Sequence, residues 1–438
     1  MSHKNFFNRY LKVFIFRSTK PVYRFLLALI VCFSASLQAE TLQQLIYIAI
    51  QNHPEIQVSA SLKEASQADI RSARWQYYPT PFISAEAVST SSDDQSFLGD
   101  DEVSRIGIIQ PLWTSGFLTS NLQEAKASFS LSEAEFQQTE QSIALSVLSA
   151  YTDWYSANLR VQAWSDSVSV HENLSDQVRR RTSGGASSES DSALANARLA
   201  VTEAGLYAVL AEEQATLAVL SEFTGQAHAS VGLALNKAQS LDIERSASRL
   251  VEQAKLTNPI VLGAQAEVDL ADAEVRRIRA EQGPEINLRL ERQHGNLGLA
   301  DSDISNRVFI EFSTRFGAGL SSISNVSAAS SRRDAARANV ASQERSLDSS
   351  ITSDLVLKAS TEQQLVALRQ SRQATLEVYD SFERQFLAGT RSWLDLLNSA
   401  REIMQLDLQI ADAEAALVLL SWRLSILSEG LGPTLERL

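Results

Sequence analysis

Four histidines follow the first forty residues, His53, His171, His228 and His294, and metal or acid-base chemistry would be sought there first. They are scattered, no cysteine stands near any of them and none shares a ligand spacing with another, so no metal site is expected. His171 falls near a helical seam, where a packed or solvated histidine is far commoner than a ligand. The carboxylate pairs Asp100-Asp101 and Glu212-Glu213 fall in a loop and on a helix face, where solvation explains them. No Gly-x-Ser-x-Gly nucleophile turn and no Gly-Lys-Ser or Gly-Lys-Thr phosphate loop occurs, so neither an enzyme nor a cofactor is expected. What does recur is a pair of polar turns: Gly185, Ser188 and Asp191 return as Gly389, Ser392 and Asp395 at a constant offset of 204. In each, the aspartate stands where a helix restarts and an acid is favourable in the first turn.

The elements that hold these turns are long. Phe117 to Ser183 runs 67 residues with no Gly or Pro, and Leu320 to Ala388 runs 69. In the first, Ile143, Val147, Ala150, Trp154, Ala157, Val161, Trp164 and Val168 follow at alternating spacings of four and three, with Phe129 and Phe136 upstream, which is the register of a coiled-coil seam. At 1.5 Å per residue such a helix reaches about 100 Å, too long for an ordinary compact core.

The rest of the chain repeats around them. Leu45, Ala49 and Pro54 return 205 positions later as Leu250, Ala254 and Pro259, as do Arg71, Arg74 and Pro79 at Arg276, Arg279 and Pro284. Trp113 corresponds to Phe316 at an offset of 203. The expected organisation is an export signal over 1–39 and two structural repeats. The first, 40–239, holds a helix, strands over 82–90 and 103–113, the helix 117–183 and a helix 188–224. The second, 240–438, holds a helix, strands over 285–293 and 306–316, the helix 320–388 and a helix 390–429. The stretch Gln226 to Gln239 reads as irregular.

The signal rests on Lys4, Arg9, Lys12, Arg17, Lys20 and Arg24 before the apolar run Phe25 to Ser36, with Leu37-Gln38-Ala39 at the cut. The only cysteine, Cys32, lies inside it behind Ile30-Val31, which does not fit a lipidation site. Losing six basic residues takes the formal charge from −13 to −19, a poor match for nucleic acid. No later segment has eighteen consecutive apolar residues, so any crossing of a membrane is made by strands. In the second strand pair Ile286, Leu288 and Leu290 alternate with Asn287, Arg289 and Glu291, and Val308, Ile310 and Phe312 with Arg307, Phe309 and Glu311. Lipid on one side and water on the other produces this alternation, and so does a strand on a soluble core. Four strands in lipid leave two unpaired edges, so a barrel needs several copies of the chain.

The pattern resembles the TolC family of outer-membrane efflux and type I secretion proteins. The matching pieces are Ala49 with Asn52-His53-Pro54 and its repeat Ala254 with Asn258-Pro259, the strand end Gln110-Pro111-Leu112-Trp113-Thr114-Ser115-Gly116, the tip Gly184 to Asp191, and Gly389-Thr390-Arg391-Ser392-Trp393-Leu394-Asp395-Leu396-Leu397. The resemblance implies a mainly α fold with a small β part: coiled-coil helical hairpins, four transmembrane strands per chain, duplicated halves, and a homotrimer whose 12-stranded β-barrel stands in outer-membrane lipid over an α-helical barrel in the periplasm. It implies two partners, a periplasmic adaptor and an inner-membrane transporter, ABC-type or other, that supplies the energy. Asp395 resembles the family's ring aspartate at the periplasmic entrance, Arg391 the arginine that ties the inner helix pair to its neighbours, and Ser190 and Asp191 their partners on the first tip. Asn398 stands where a second ring aspartate is often found, and Phe386 where a tyrosine hydroxyl bonds the first-tip aspartate, which implies a gate with less charge and fewer polar ties. Gly184, Gly185, Gly389 and Thr390 resemble the tips that meet the adaptor.

The expected function is a passive, porin-like outer-membrane conduit, in type I protein secretion first and in small-molecule efflux second. A periplasmic coiled-coil scaffold is the alternative of another class, and it leaves the strand pairs idle.

Overall fold

The computed structural model describes residues 41–89, 99–228, 247–297, 304–314 and 321–436. The export signal, most of the stretch 226–239, the strand residues 90 and 315–316 and the first residue of the expected helix 320–388 lie outside them. The fold is mainly α with one small antiparallel sheet. In chain order the elements are α1 Leu42–Asn52, α2 Pro54–Trp75, β1 Thr80–Ala87, β2 Glu102–Trp113, α3 Phe117–Ser183, α4 Glu189–Thr224, α5 Ala247–Thr257, α6 Pro259–Glu281, β3 Glu285–His294, β4 Ser305–Ser313, α7 Ser321–Leu387, α8 Trp393–Glu429 and α9 Leu431–Glu436. The order helix, helix, strand, strand, long helix, helix thus occurs twice. No helix among the described residues is long and apolar enough to cross a membrane.

Local chemistry explains the joints. His53 ends α1 and caps α2, its Nδ1 accepting from the Glu55 amide at 3.3 Å, and Pro54 takes the first helical position where no amide is missed. Asn258 does the same before Pro259, its Oδ1 accepting from the Ile260 amide at 3.0 Å. Between β2 and α3 the chain turns through Ser115 and Gly116, at φ 51° and 84°. Ser115 is held in this left-handed geometry by donating its Oγ to the Pro284 carbonyl at 2.6 Å, and Gly283 leaves room beside it, since a Cβ there would stand 2.2 Å from that of Ser115.

The rods bury narrow stripes. Ile143, Val147, Ala150, Trp154 and Ala157 of α3 are buried as the seam predicts, the first four packed with Leu42, Leu45 and Ile46 of α1, Leu217 and Leu220 of α4, and Val418, Trp422 and Ile426 of α8. Beyond Ala157 the seam moves. Val161, Trp164 and Val168 are only partly buried, and the inward positions become Ala163, Ser167, His171, Leu174 and Val178. The neighbours change there: α1 no longer covers the helix, and the inner face is left with α4 and the second hairpin alone. His171 is packed, its Nδ1 2.7 Å from the Ser167 carbonyl. Ion pairs lace the remaining length, Arg160 with Glu212 across the first hairpin, and Arg369 with Glu414 and Arg372 with Asp407 across the second.

The sheet has the order β1-β2-β3-β4, all antiparallel. Where the expected and the observed bound are both described, strand bounds differ by at most two residues. β1 begins at Thr80, because Pro81 needs no ladder donor on an edge strand. Pro111 sits at a bulge in β2, beyond the last residue that β1 pairs, Ile109.

The two faces differ in kind. On one, Ile83, Val308, Ile310 and Phe312 are between 68 % and 80 % exposed and join Ile106, Ile108 and Leu290. On the other, charges close on one another: Arg289 reaches Glu291 at 2.7 Å and Glu311 at 3.2 Å, and its guanidinium lies over the rings of Phe82 and Phe309. Gln293 Oε1 accepts from Arg105 at 3.0 Å and from Arg307 at 2.6 Å. Glu291 is 7 % exposed, and Arg289 is its ion-pair partner. Arg289→Ala, which strands a buried carboxylate, is expected to cost about 3 kcal/mol. The midpoint of urea unfolding in detergent measures this, and Arg289→Ala/Glu291→Gln should recover most of the loss.

Candidate functional site

The far end of the rods, opposite the sheet, is built from two turns of one design. α3 ends at Gly184 and Gly185, the latter at φ 76°, with the Ala186 amide donating to the Arg181 carbonyl at 2.8 Å. α7 ends at Gly389, at φ 78°, with the Thr390 amide donating to the Gln385 carbonyl at 3.0 Å. This is the six-to-one closure of a Schellman turn, which needs a left-handed residue and so favours glycine. Thr390 adds its Oγ1 to the same Gln385 carbonyl at 3.1 Å.

α4 then starts from the N-cap Ser188 and α8 from the N-cap Ser392, both extended. The expected helix over 390–429 therefore starts three residues late: Thr390 and Arg391 belong to the turn, and Ser392 takes the cap because its hydroxyl satisfies the Leu394 amide at 3.2 Å.

The two hairpins meet across a small buried cluster of Leu174, Val178, Ala195, Phe386, Trp393, Leu396 and Leu397. Two polar contacts cross it in opposite directions. Arg181, from the first hairpin, lays its guanidinium over the Phe386 ring at 4.4 Å. Trp393, from the second, donates its indole Nε1–H to Asp191 Oδ1 at 3.2 Å. The other carboxylate oxygen of Asp191 accepts from the Ser188 amide at 3.0 Å and from the Ser188 hydroxyl at 2.8 Å, completing a capping box. These donors, Ser188 first and Trp393 after it, hold the Asp191 carboxyl below its ordinary 3.8.

Arg391 bonds neither Ser190 nor Asp191 within the chain. Its Nε lies 2.9 Å from Asp395 Oδ2, at an angle that makes an ion pair and not a hydrogen bond, and its guanidinium stacks on Phe382 at 4.0 Å. Asp191 is already engaged by Ser188 and Trp393. Ser190 and Asn398 are exposed, Asn398 accepting from Arg401 at 3.4 Å. Phe386 is 3 % exposed and offers Arg181 a ring face. The donor that Phe386 lacks comes from Trp393, which sequence reasoning used only as part of a motif. Its signal was the Ser-Trp-x-Asp spacing, which puts an indole in the first turn beside the cap.

Long rods, a sheet with one apolar exposed face at one end and polar turns at the other define a channel-tunnel fold. A model of the outer membrane efflux protein family matches residues 45–226 and 250–425. The chain belongs to that family of non-enzymatic channels, and its place is the outer membrane, reaching through the periplasm. Among solved structures, the outer membrane protein VceC of Vibrio cholerae matches with a TM-score of 0.76 at 16 % identity, over 89 % of this chain and 96 % of that one. The CmeC outer membrane channel of Campylobacter jejuni matches with a TM-score of 0.75 at 16 % identity, over 89 % and 85 %. The open state of the MtrE outer membrane channel of Neisseria gonorrhoeae matches with a TM-score of 0.70 at 18 % identity, over 89 % of each chain. None of the curated protein sequences matches this chain.

Asp191 has a lowered native pKa, so its contribution to tip stability is complete above about 3.8 and is lost as pH falls through the lower native value. Trp393→Phe keeps the ring and removes one donor, so the native pKa of Asp191 should rise toward its ordinary value. Protection from hydrogen exchange across 183–192 at pH 4, relative to the intrinsic rates, should be lower than in the wild type, and Asp191→Asn should remove the loss of that protection as pH falls.

Proposed function

We propose that three copies of this chain form a passive exit duct across the periplasm and outer membrane, energised by an inner-membrane transporter through a periplasmic adaptor. The observation that carries this is the sheet: four strands with an apolar outer face, a charged inner face and unpaired edges on β1 and β4. Backbone groups without partners cost several kcal/mol each in lipid, and three copies joined edge to edge remove both edges as a twelve-stranded barrel. The duplicated halves, 40–239 and 240–438 behind a signal over 1–39, give each chain two of the hairpins that line the duct.

Within this reading Asp395 narrows the periplasmic entrance, with Asn398 one turn along. Arg391, Asp191, Ser190 and Phe386 hold the closed tips, and Gly184, Gly185, Gly389 and Thr390 form the surface the adaptor meets. Three carboxylates round a narrow axis favour cations. In a planar bilayer the wild type should conduct weakly with cation preference, and Asp395→Ala should lose that preference. Conductance with unchanged selectivity would move the entrance gate elsewhere.

The cargo we infer first is a polypeptide exported by an ABC-type transporter, since Ile30-Val31 before Cys32 do not fit the lipidation site of lipidated drug-efflux ducts. The family's description as efflux proteins favours small molecules as the second reading. In cells lacking their own duct, restored secretion of a polypeptide cargo supports the first, whereas restored dye efflux without secretion assigns the second.

A further inference from the structure

Both tips carry the sequence Ser-x-x-Asp at a helix start, and the two aspartates use it differently. Asp191 turns back onto Ser188 and takes both its amide and its hydroxyl. Asp395 stands in the same place relative to Ser392, on the same extended cap backbone, yet its carboxylate is with Arg391. The difference lies one residue before the cap, which is Ser187 in the first tip and Arg391 in the second. Ser392 meanwhile uses its hydroxyl on the Leu394 amide, and its own amide has no acceptor among the described residues.

We propose that Asp395 is a two-position carboxylate. Paired with Arg391 it stands off the helix end with its charge neutralised. Released from Arg391, it closes the capping box on Ser392, in the geometry that Asp191 already shows. Two anchors hold Arg391 in place, the Phe382 ring of α7 and the Asp395 carboxylate of α8, so Arg391 spans the turn of the second hairpin. A movement that parts α7 from α8 and carries Arg391 away with the Phe382 ring frees Asp395. The freed carboxylate has a ready second site, where the helix N-terminus favours it. The consequence for the duct rests on the reading of Asp395 as an entrance residue: opening would both unmask three negative charges and draw them back toward the helix ends. The switch itself is a property of the turn and does not need that reading.

The test is residue-resolved hydrogen exchange of the Ser392 amide in the full-length protein in detergent, with bilayer reversal potentials measured on the same preparations. In the wild type the amide should exchange without protection. Arg391→Gln should slow it by about fivefold, the strength of a typical cap. Arg391→Lys, which keeps a cation by Asp395, should leave exchange as in the wild type and guards against a merely structural effect. Arg391→Gln/Asp395→Ala, which removes the acceptor, should restore fast exchange. No slowing in Arg391→Gln, or slowing that survives Asp395→Ala, overturns the switch. Slowed exchange with an unchanged reversal potential upholds the switch and discards Asp395 as the entrance charge, and the opposite pair of results discards the switch alone.

Discussion

Everything in this chain depends on what surrounds the backbone of its four strands. A strand edge in water is solvated at little cost, but in hydrocarbon each unpaired amide or carbonyl has nothing to bond. The sheet here is apolar on its exposed face and closes its charges on the other, so it is suited to lipid outside and water inside. It also ends in two free edges, β1 and β4. A surface of that kind is incomplete as a single chain. The helices below it inherit the same requirement, for their apolar stripes are narrow and many large apolar side chains, among them Val201, Tyr207, Val356 and Val366, face outward from one copy.

The rods carry the second constraint. A helix of 67 residues cannot be held by one core, and it is not: apolar clusters lie where the short helices α1 and α5 pack on it and its neighbours, a third lies at the tips, and Arg–carboxylate pairs link the lengths between them. This leaves the tips joined by few groups. One indole hydrogen bond and one guanidinium–ring contact cross between the hairpins there, both exchanging a residue of one hairpin for a residue of the other.

Much of this was legible in the residues. The length of α3 followed from the absence of Gly and Pro between 117 and 183, and the alternation at Ile286 to Glu291 marked both faces of β3, because these signals are local and periodic. The recurrence of Pro54 as Pro259 was readable, but the caps that His53 and Asn258 form in front of them were not. The late start of α8 was not, since Thr390 and Arg391 contain no breaker and only the hydroxyl of Ser392 selects the cap. The move of the seam beyond Ala157 was hidden as well, because the packing partner changes while the helix does not. The contacts of Trp393 with Asp191 and of Arg181 with Phe386 join residues about two hundred positions apart, and no local pattern encodes them. At the site, residue types were legible but pairings were not: Arg391 is matched to Asp395 on its own hairpin, one helical turn away.

The claim that the sheet is one third of a closed barrel is tested most directly by cysteine pairs scanned along its free edges, one member on β1 and the other on β4. Oxidised in membranes and run without reductant, a matching pair should link neighbouring copies into a covalent species of three chains and stop there. Covalent dimers as the limit at every pair tried, or no linkage at any, would contradict edge-to-edge closure by three copies.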